Sequence, residues 1–310
     1  MKLQHDLFRG LRTAEVSLRM QDIAAMAEAR DKPGSRSVYS AGPRERQDME
    51  NDKLLGRRDG PVGHVVFNNP AKLNAVSLDM WDRLFEILQE FEADSQIRCV
   101  VVSGAGGKAF VSGADISKFE SERANAEAQE RYNAISGRGY EAMYNFPKPT
   151  IAKITGYCIG GGMNLAGCCD LRFCNEGARF GVPAARLGLG YGLLRIERLA
   201  TIIGLPRAME MLFTARQYAS AEALEIGLVH RVAGDAELDA VIAEATGQIT
   251  QNAPLTIALA KAAAREIAKG ESQRDHGKLE RMTQACFDSQ DYAEGRRAFM
   301  EKRKPVFQGK

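Results

Sequence analysis

Two short segments constrain this chain more than any other feature: the apolar run CVVVS at Cys99 to Ser103, and TIAKI at Thr150 to Ile154, which reads as a second buried strand. A strand that alternates apolar and polar residues can leave one face in water, whereas a continuously apolar strand must be covered on both faces. Helices able to supply that cover lie before, between and after these runs in the sequence. Ser77 to Glu92 puts Leu78, Trp81, Leu84, Phe85, Leu88 and Phe91 on one helical face, with Ser77 at the N-cap position. Val62 to Phe67 and Asp170 to Cys174 read as further strands. Ile116 to Asn145 reads as a polar helical stretch broken by Pro147 and Pro149, and Gly160 to Cys168, Arg207 to Phe213, Ala221 to Ile226 and Leu238 to Gln251 read as helices. Alternating strands and helices imply an α/β architecture. From Pro254 to Lys310 there is no strand signal, so this tail is predicted to be a separate packing module of helices.

The first fifty residues differ from the rest. Nine basic and eight acidic residues surround a weak apolar stripe at Val16, Met20, Ile23 and Ala27, followed by the turn-rich DKPGSRSVYSAGPRER. This reads as a helix plus a mobile linker, and near-equal charge of both signs disfavours a transit peptide. The expected organisation is an extension over 1–50, a core over 51–252 and a helical module over 253–310.

With 42 basic against 40 acidic residues the net charge is +2, which offers no global attraction for nucleic acid or an anionic membrane. No apolar run approaches the roughly 18 residues that span a bilayer, and the first residues do not show the charged-then-apolar pattern expected of a secretory signal. A cytoplasmic protein is expected. Six cysteines lacking any CxxC pair predict buried reduced thiols, and four scattered histidines predict no metal site.

Two glycine-rich turns are the candidates for chemistry. GAGGKAFVSGADI, Gly104 to Ile116, leaves a buried strand and ends towards a helix; its glycines allow main-chain N–H groups to face a ligand, but it matches neither GxxxxGK[ST] nor GxGxxG. Taken alone, it reads equally as a plain connection. In ITGYCIGGGMNLAGCCDLRF, Ile154 to Phe173, Gly160, Gly161 and Gly162 open a helix, where unshielded N–H groups and the peptide dipoles favour negative charge. Tight helix-to-strand packing would explain one such glycine better than three.

With NPAKLNAV at Asn69 to Val76 and FMEKRKPVF at Phe299 to Phe307, these segments make the chain from about residue 54 onwards resemble the enoyl-CoA hydratase/isomerase (crotonase) family. The resemblance implies a spiral of ββα repeats with a C-terminal helical trimerisation module, assembling as a homotrimer or a dimer of trimers. It implies a lyase of fatty acid metabolism that binds acyl-CoA and stabilises a thioester enolate with two main-chain N–H groups, here those of Ala114 and Gly161. No cofactor is expected, since coenzyme A enters as part of the substrate. Lys72, Leu73 and Ala75 match the loop that cradles coenzyme A, and Phe299 and Lys302 match tail residues near its nucleotide.

The departures from the family pattern are as informative. Where the hydratases carry two glutamates that hold and activate water, this chain has Asn164 and Ala184. An amide can orient a water but cannot take a proton near neutral pH, and a methyl group can do neither. By position, Tyr191 matches a pocket tyrosine of methylmalonyl-CoA decarboxylases in the family, although those carry a histidine where this chain has Ala114. Decarboxylation needs no base, since loss of CO2 itself leaves the enolate. Arg186 or Arg195 can bind a substrate carboxylate, or form a structural pair with Glu197. Asp115 and Asp170 read as turn or cap residues, and Phe119 with Tyr132 to Met143 as candidates for lining the acyl pocket. Three functions stay open: an enolate-forming acyl-CoA enzyme, a malonyl-type decarboxylase or hydrolase using Tyr191, and a non-catalytic acyl-CoA-binding scaffold. RNA binding lacks the basic, aromatic-interleaved stripe it would need.

Overall fold

The computed structural model of the protein describes residues 53–115, 118 and 125–310. The expected N-terminal helix and linker, Phe119, and most of the stretch between Ile116 and Ala124 lie outside the described residues.

Strands β1 (Leu54–Asp59) and β2 (Val62–Phe67) form an antiparallel hairpin that feeds helix α1 (Leu78–Ala93). Three further units repeat a common plan: β3 (Cys99–Gly104), β4 (Ala109–Val111) and α2 (Ala126–Asn145); β5 (Thr150–Ile154), β6 (Tyr157–Ile159) and α3 (Gly161–Cys168); β7 (Leu171–Asn175), β8 (Arg179–Gly181) and, after a 3-10 turn over Pro183–Leu187, α4 (Leu193–Ile203). Next come α5 (Leu205–Thr214), β9 (Tyr218–Ala219), α6 (Ser220–Glu225), β10 (Arg231–Ala233) and α7 (Leu238–Thr250). The chain ends with α8 (Pro254–Ile267), α9 (His276–Asp288) and α10 (Gln290–Met300).

The first strand of each unit joins a six-stranded sheet of order β1-β2-β3-β5-β7-β10, and the second joins a four-stranded sheet of order β4-β6-β8-β9. Neighbours β3, β5 and β7 are parallel, as are β4, β6 and β8. Each unit therefore advances the chain by one strand in both sheets, which makes the fold a spiral of ββα turns. The runs that required cover have it, with Val100, Val102, Ala152 and Ile154 in the main core and Val101 and Ile151 packed against α7 on the opposite face.

Several elements depart from their sequence expectation. The buried stripe of α1 is Met80, Trp81, Leu84, Ile87, Leu88 and Phe91, rotated so that Leu78 and Phe85 are only partly covered. Ser77 holds the cap position, but its hydroxyl makes no cap hydrogen bond. The helix expected from Ile116 starts at Ala126, where the Asn125 side chain accepts from Ala128 N at 2.8 Å. The tail is helical as expected. It belongs to the same compact unit as the spiral.

Asp170 and α8 join tail to core. Asp170 Oδ2 accepts from Thr150 N (2.8 Å), Thr150 Oγ1 (2.9 Å) and Lys261 Nζ (2.6 Å), while its Oδ1 accepts from Arg265 Nη2 (2.9 Å). Lys261 also donates to Lys148 O at 2.8 Å. Cys99, Cys158, Cys168, Cys169 and Cys174 are buried free thiols, with burial pushing Cys99, Cys169 and Cys174 up to about 12. Cys286 is only partly buried, contrary to expectation.

His230 closes the β7–β10 edge by exchanging two bonds with Arg172. Its N–H donates to Arg172 O at 2.8 Å, and its Nδ1 accepts from Arg172 N at 3.2 Å, which requires an unprotonated Nδ1. Burial, then the Arg172 charge, holds its pKa below 6.5. Because the unfolded chain takes up this proton at higher pH than the folded one, stability is present above 6.5 and is lost as pH falls through the window below it. Urea midpoints measured between about pH 5 and 8 should fall towards the acid end, and His230→Gln should flatten that decline.

Candidate active site

The loop Asn69 to Val76 fixes the first of the two turns. Asn74, fully buried at φ 56°, accepts from Asn69 N at 2.9 Å and donates to Ala105 O (3.0 Å) and Ala109 O (2.7 Å), so one amide ties both ends of the Gly104–Ala109 turn. The same loop then runs beside residues 112 to 115. Ser112 N donates to Leu73 O (3.1 Å), Val76 N to Gly113 O (2.8 Å) and Asp115 N to Val76 O (3.0 Å), while Lys72 Nζ reaches Asp115 Oδ2 at 2.8 Å. These bonds hold Ala114 as a parallel bridge partner of Val76 and leave Ala114 N–H with no acceptor among the described residues.

The glycine triplet builds the second turn, and each glycine answers a different demand. Gly160 has φ 55°, ψ −107°, a conformation that a side chain would strain. A Cβ on Gly162 would lie 2.0 Å from Val111 O, so this position is needed for packing of α3 on β4. A Cβ on Gly161 would instead meet Tyr140 Oη at 2.9 Å and Ala114 N at 3.7 Å. Gly161 N–H is the first of α3, and such a group has no partner within its own helix. The two free amides therefore adjoin one another across the turns.

Both open onto a cavity of about 390 Å³. Ala114, Gly161, Ala184 and Tyr191 all line it, together with Gln129, Tyr132, Asn133, Ser136 and Tyr140 along one face of α2, so the structure selects that face from the candidates Tyr132 to Met143. Asn164 does not line it. It lies 4% exposed behind Tyr191 and Arg195, beside a narrow space of about 10 Å³, and neither Nδ2 nor Oδ1 has a hydrogen-bond partner. Lys72, Leu73 and Ala75 flank the cavity through Ser112. Phe299 and Lys302 are not brought to it within this chain, Phe299 lining a different groove on the C-terminal helices.

No aspartate or glutamate of the described residues lines this cavity. Asp115 is engaged by Lys72, and Glu120 and Glu122 lie outside the described residues. The cavity's ionisable side chains are the phenols of Tyr132, Tyr140 and Tyr191 and the guanidinium of Arg195, beside the uncharged Ser112, Gln129, Asn133 and Ser136. Tyr140 donates to Gly161 O at 3.1 Å, and burial holds the Tyr140 and Tyr191 phenols well above their ordinary range, so both are hydrogen donors rather than bases. The expected Arg195–Glu197 pair is absent: the two lie two positions apart on α4, where side chains diverge. Arg195 instead stands over the rings of Tyr140 (5.5 Å) and Tyr191 (5.8 Å), and Tyr191 has no carbonyl partner. Arg186 is exposed in the 3-10 turn.

A two-sheet ββα spiral with two main-chain amides converging on one cavity defines a protein of the crotonase fold. The chain belongs to the enoyl-CoA hydratase/isomerase family, whose sequence profile matches residues 57–310. It is 34% identical to a short-chain-enoyl-CoA hydratase of Clostridium acetobutylicum over 83% of this chain and 97% of that protein. A crotonyl-CoA hydratase of Syntrophomonas wolfei is 31% identical over 84% and 99%. A crystal structure of an enoyl-CoA hydratase/carnithine racemase from Magnetospirillum magneticum superposes with a TM-score of 0.80 at 35% identity, covering 84% of this chain and 96% of that one. Among the described residues no helix is long and apolar enough to cross a membrane.

Proposed function

We propose that the protein binds an acyl-CoA thioester with its carbonyl oxygen between Ala114 N–H and Gly161 N–H and stabilises the enolate formed there. The observation that carries this reading is the pair of unpartnered amides facing one cavity. Charge that develops on the thioester oxygen is met by donors already in place, an arrangement worth about 3 kcal/mol per donor. Lys72, Leu73 and Ala75 would contact the coenzyme A moiety. Phe299 and Lys302 would do so only from a neighbouring copy, which fits assembly into trimers, and exposed Phe287, Phe299 and Met300 on the C-terminal helices support self-association.

Hydration is not the reaction the cavity favours, because adding water across a double bond needs a group that takes and returns a proton. A general acid–base group contributes about 10²–10⁴ in rate, and Asn164 and Ala184 supply none. The Tyr191 phenol favours a second reading, decarboxylation or hydrolysis of a malonyl-type thioester, in which Tyr191 holds the departing group. A panel of enoyl-, malonyl- and 3-oxoacyl-CoA thioesters followed by mass spectrometry tests both. The expected result is product from a malonyl or 3-oxoacyl member and hydration of crotonyl-CoA slowed by about 10² or more against a glutamate-bearing hydratase. Fast crotonyl-CoA hydration would refute the reading of the two replaced positions, and tight binding with no turnover across the panel would make the protein a scaffold.

A further inference from the structure

We infer that the Tyr140 phenol is a third donor to the thioester oxygen, a catalytic residue beside the main-chain amides of Ala114 and Gly161. The inference rests on the acyl-CoA reading above and adds a side chain to its oxyanion site. Position is the observation behind it. The point at which a Cβ of Gly161 would stand lies 2.9 Å from Tyr140 Oη and 3.7 Å from Ala114 N. Because a Cβ is about 2.5 Å from its own nitrogen, Tyr140 Oη is no more than about 5.4 Å from Gly161 N. An oxygen held by Gly161 N at about 2.9 Å can therefore accept from Tyr140 at about 2.7 Å as well. Tyr140 also lines the cavity onto which both amides open.

The fold fixes the ring that carries this hydroxyl. Tyr140 is buried on α2, and its ring packs against Trp81 with centroids 4.3 Å apart and planes tilted by 51°. Gly139 permits that approach, since a Cβ there would lie 2.7 Å from Trp81 Cε3. The hydroxyl hydrogen, in contrast, is free to turn. It is donated to Gly161 O at 3.1 Å, yet that carbonyl also belongs to the ladder of α3, which begins with Asn164 N on Gly160 O at 3.2 Å. Losing the phenol therefore leaves Gly161 O with its helical donor. Turning the O–H about its own C–O bond exchanges this acceptor for the thioester oxygen while the ring stays in place. A negative oxygen makes the stronger claim on it, because a charge-assisted hydrogen bond is roughly twice as strong as a neutral one. Burial, opposed by the Arg195 cation 5.5 Å from the ring centre, holds the phenol above its ordinary range, so it donates without ionising. The bond strengthens as charge passes onto the oxygen, which is the condition for a donor to speed a reaction and not merely to tighten binding.

The test is isotope-edited infrared difference spectroscopy of butyryl-CoA, labelled with heavy carbon at its carbonyl and bound to the full-length protein. Hydrogen bonds to the carbonyl oxygen lower its stretching frequency, so displacement from the band of butyryl-CoA in solution measures the combined pull of the donors. Three proteins are compared: wild type, Tyr140→Phe, which keeps the ring and removes the O–H, and a protein carrying meta-fluorotyrosine at position 140, whose O–H is a stronger donor. The displacement should be largest with meta-fluorotyrosine and smallest in Tyr140→Phe, which should lose about a third of the wild-type value, the share of one donor in three. A Tyr140 that only props α3 through Gly161 O would give the fluorinated protein the wild-type band, and that result would overturn the inference. So would a wild-type band in Tyr140→Phe. An undisplaced band in the wild-type complex would overturn the oxyanion site itself, and failure of butyryl-CoA to bind would overturn the acyl-CoA reading, with this inference falling in either case.

Discussion

Gly161→Ala is expected to fold and to lose turnover by about a hundredfold or more, the scale set by losing one oxyanion donor. Its Cβ would lie 2.9 Å from Tyr140 Oη and 3.7 Å from Ala114 N, in the space proposed above for the thioester oxygen. The atom it crowds is the end of a side chain, which can shift, and the backbone at this position has no positive φ that an alanine would strain. The neighbouring Gly162→Ala is the contrast. Its Cβ would lie 2.0 Å from Val111 O, a main-chain atom fixed in β4, so α3 cannot stay where it is. That variant is expected to be insoluble or destabilised by about 3 kcal/mol or more. Steady-state rates with the active member of the thioester panel, measured beside circular dichroism melts, separate the two outcomes. A Gly161→Ala enzyme with full turnover would remove Gly161 from the oxyanion site.

Asp170→Ala is expected to destabilise the protein by about 3 kcal/mol, the lower end of the range for a broken buried pair. The lost carboxylate serves four donors at once and leaves Lys261, whose side chain is 9% exposed, without its counter-charge. Desolvation lowers the Lys261 pKa from 10.5 even in the intact cluster, which shows how little solvent is present to replace Asp170. Asp170→Asn should cost less, because an amide oxygen can still accept from Thr150. Denaturant melts of the two variants decide the matter. A change below about 1 kcal/mol in Asp170→Ala would mean that α8 is held to the core by apolar contact instead.

The parts of the fold that were legible from sequence are those with many residues per signal. Six apolar positions over sixteen residues define α1, an apolar run at Cys99 to Val102 defines β3, and the largely apolar segment after the Pro147–Pro149 break defines β5. The second sheet was not legible. Its strands β4, β6, β8 and β9 are two or three residues long, shorter than any alternation can register, and they exist because consecutive turns of the spiral stack. Helix α4 was missed because LGLGYGLL before it reads as loop. That omission also allowed Arg195 and Glu197 to be read as partners, which a helix at that spacing forbids.

At the site, the glycine turns were legible because glycine reports backbone geometry directly. The unpaired state of Arg195 and Asn164 was not, since a missing partner is a property of three dimensions. Asn74 gave only the faint signal of an amide side chain in a loop, where its φ of 56° and three hydrogen bonds tie both ends of the Gly104–Ala109 turn. The apolar stripe of α1 has Met80 and Ile87 where Leu78 and Phe85 are expected, for a similar reason. Periodicity locates a face, while the neighbouring helix α2, with Gly139 against Trp81, decides which residues turn fully inward.

A crystal structure with an unreactive acyl-CoA analogue bound tests the central claim most directly. The account predicts the thioester oxygen within about 2.7–3.1 Å of both Ala114 N and Gly161 N, with no carboxylate over the α-carbon. A carbonyl turned away from the two amides, or an acidic side chain from residues 116–124 closing over that carbon, would contradict it.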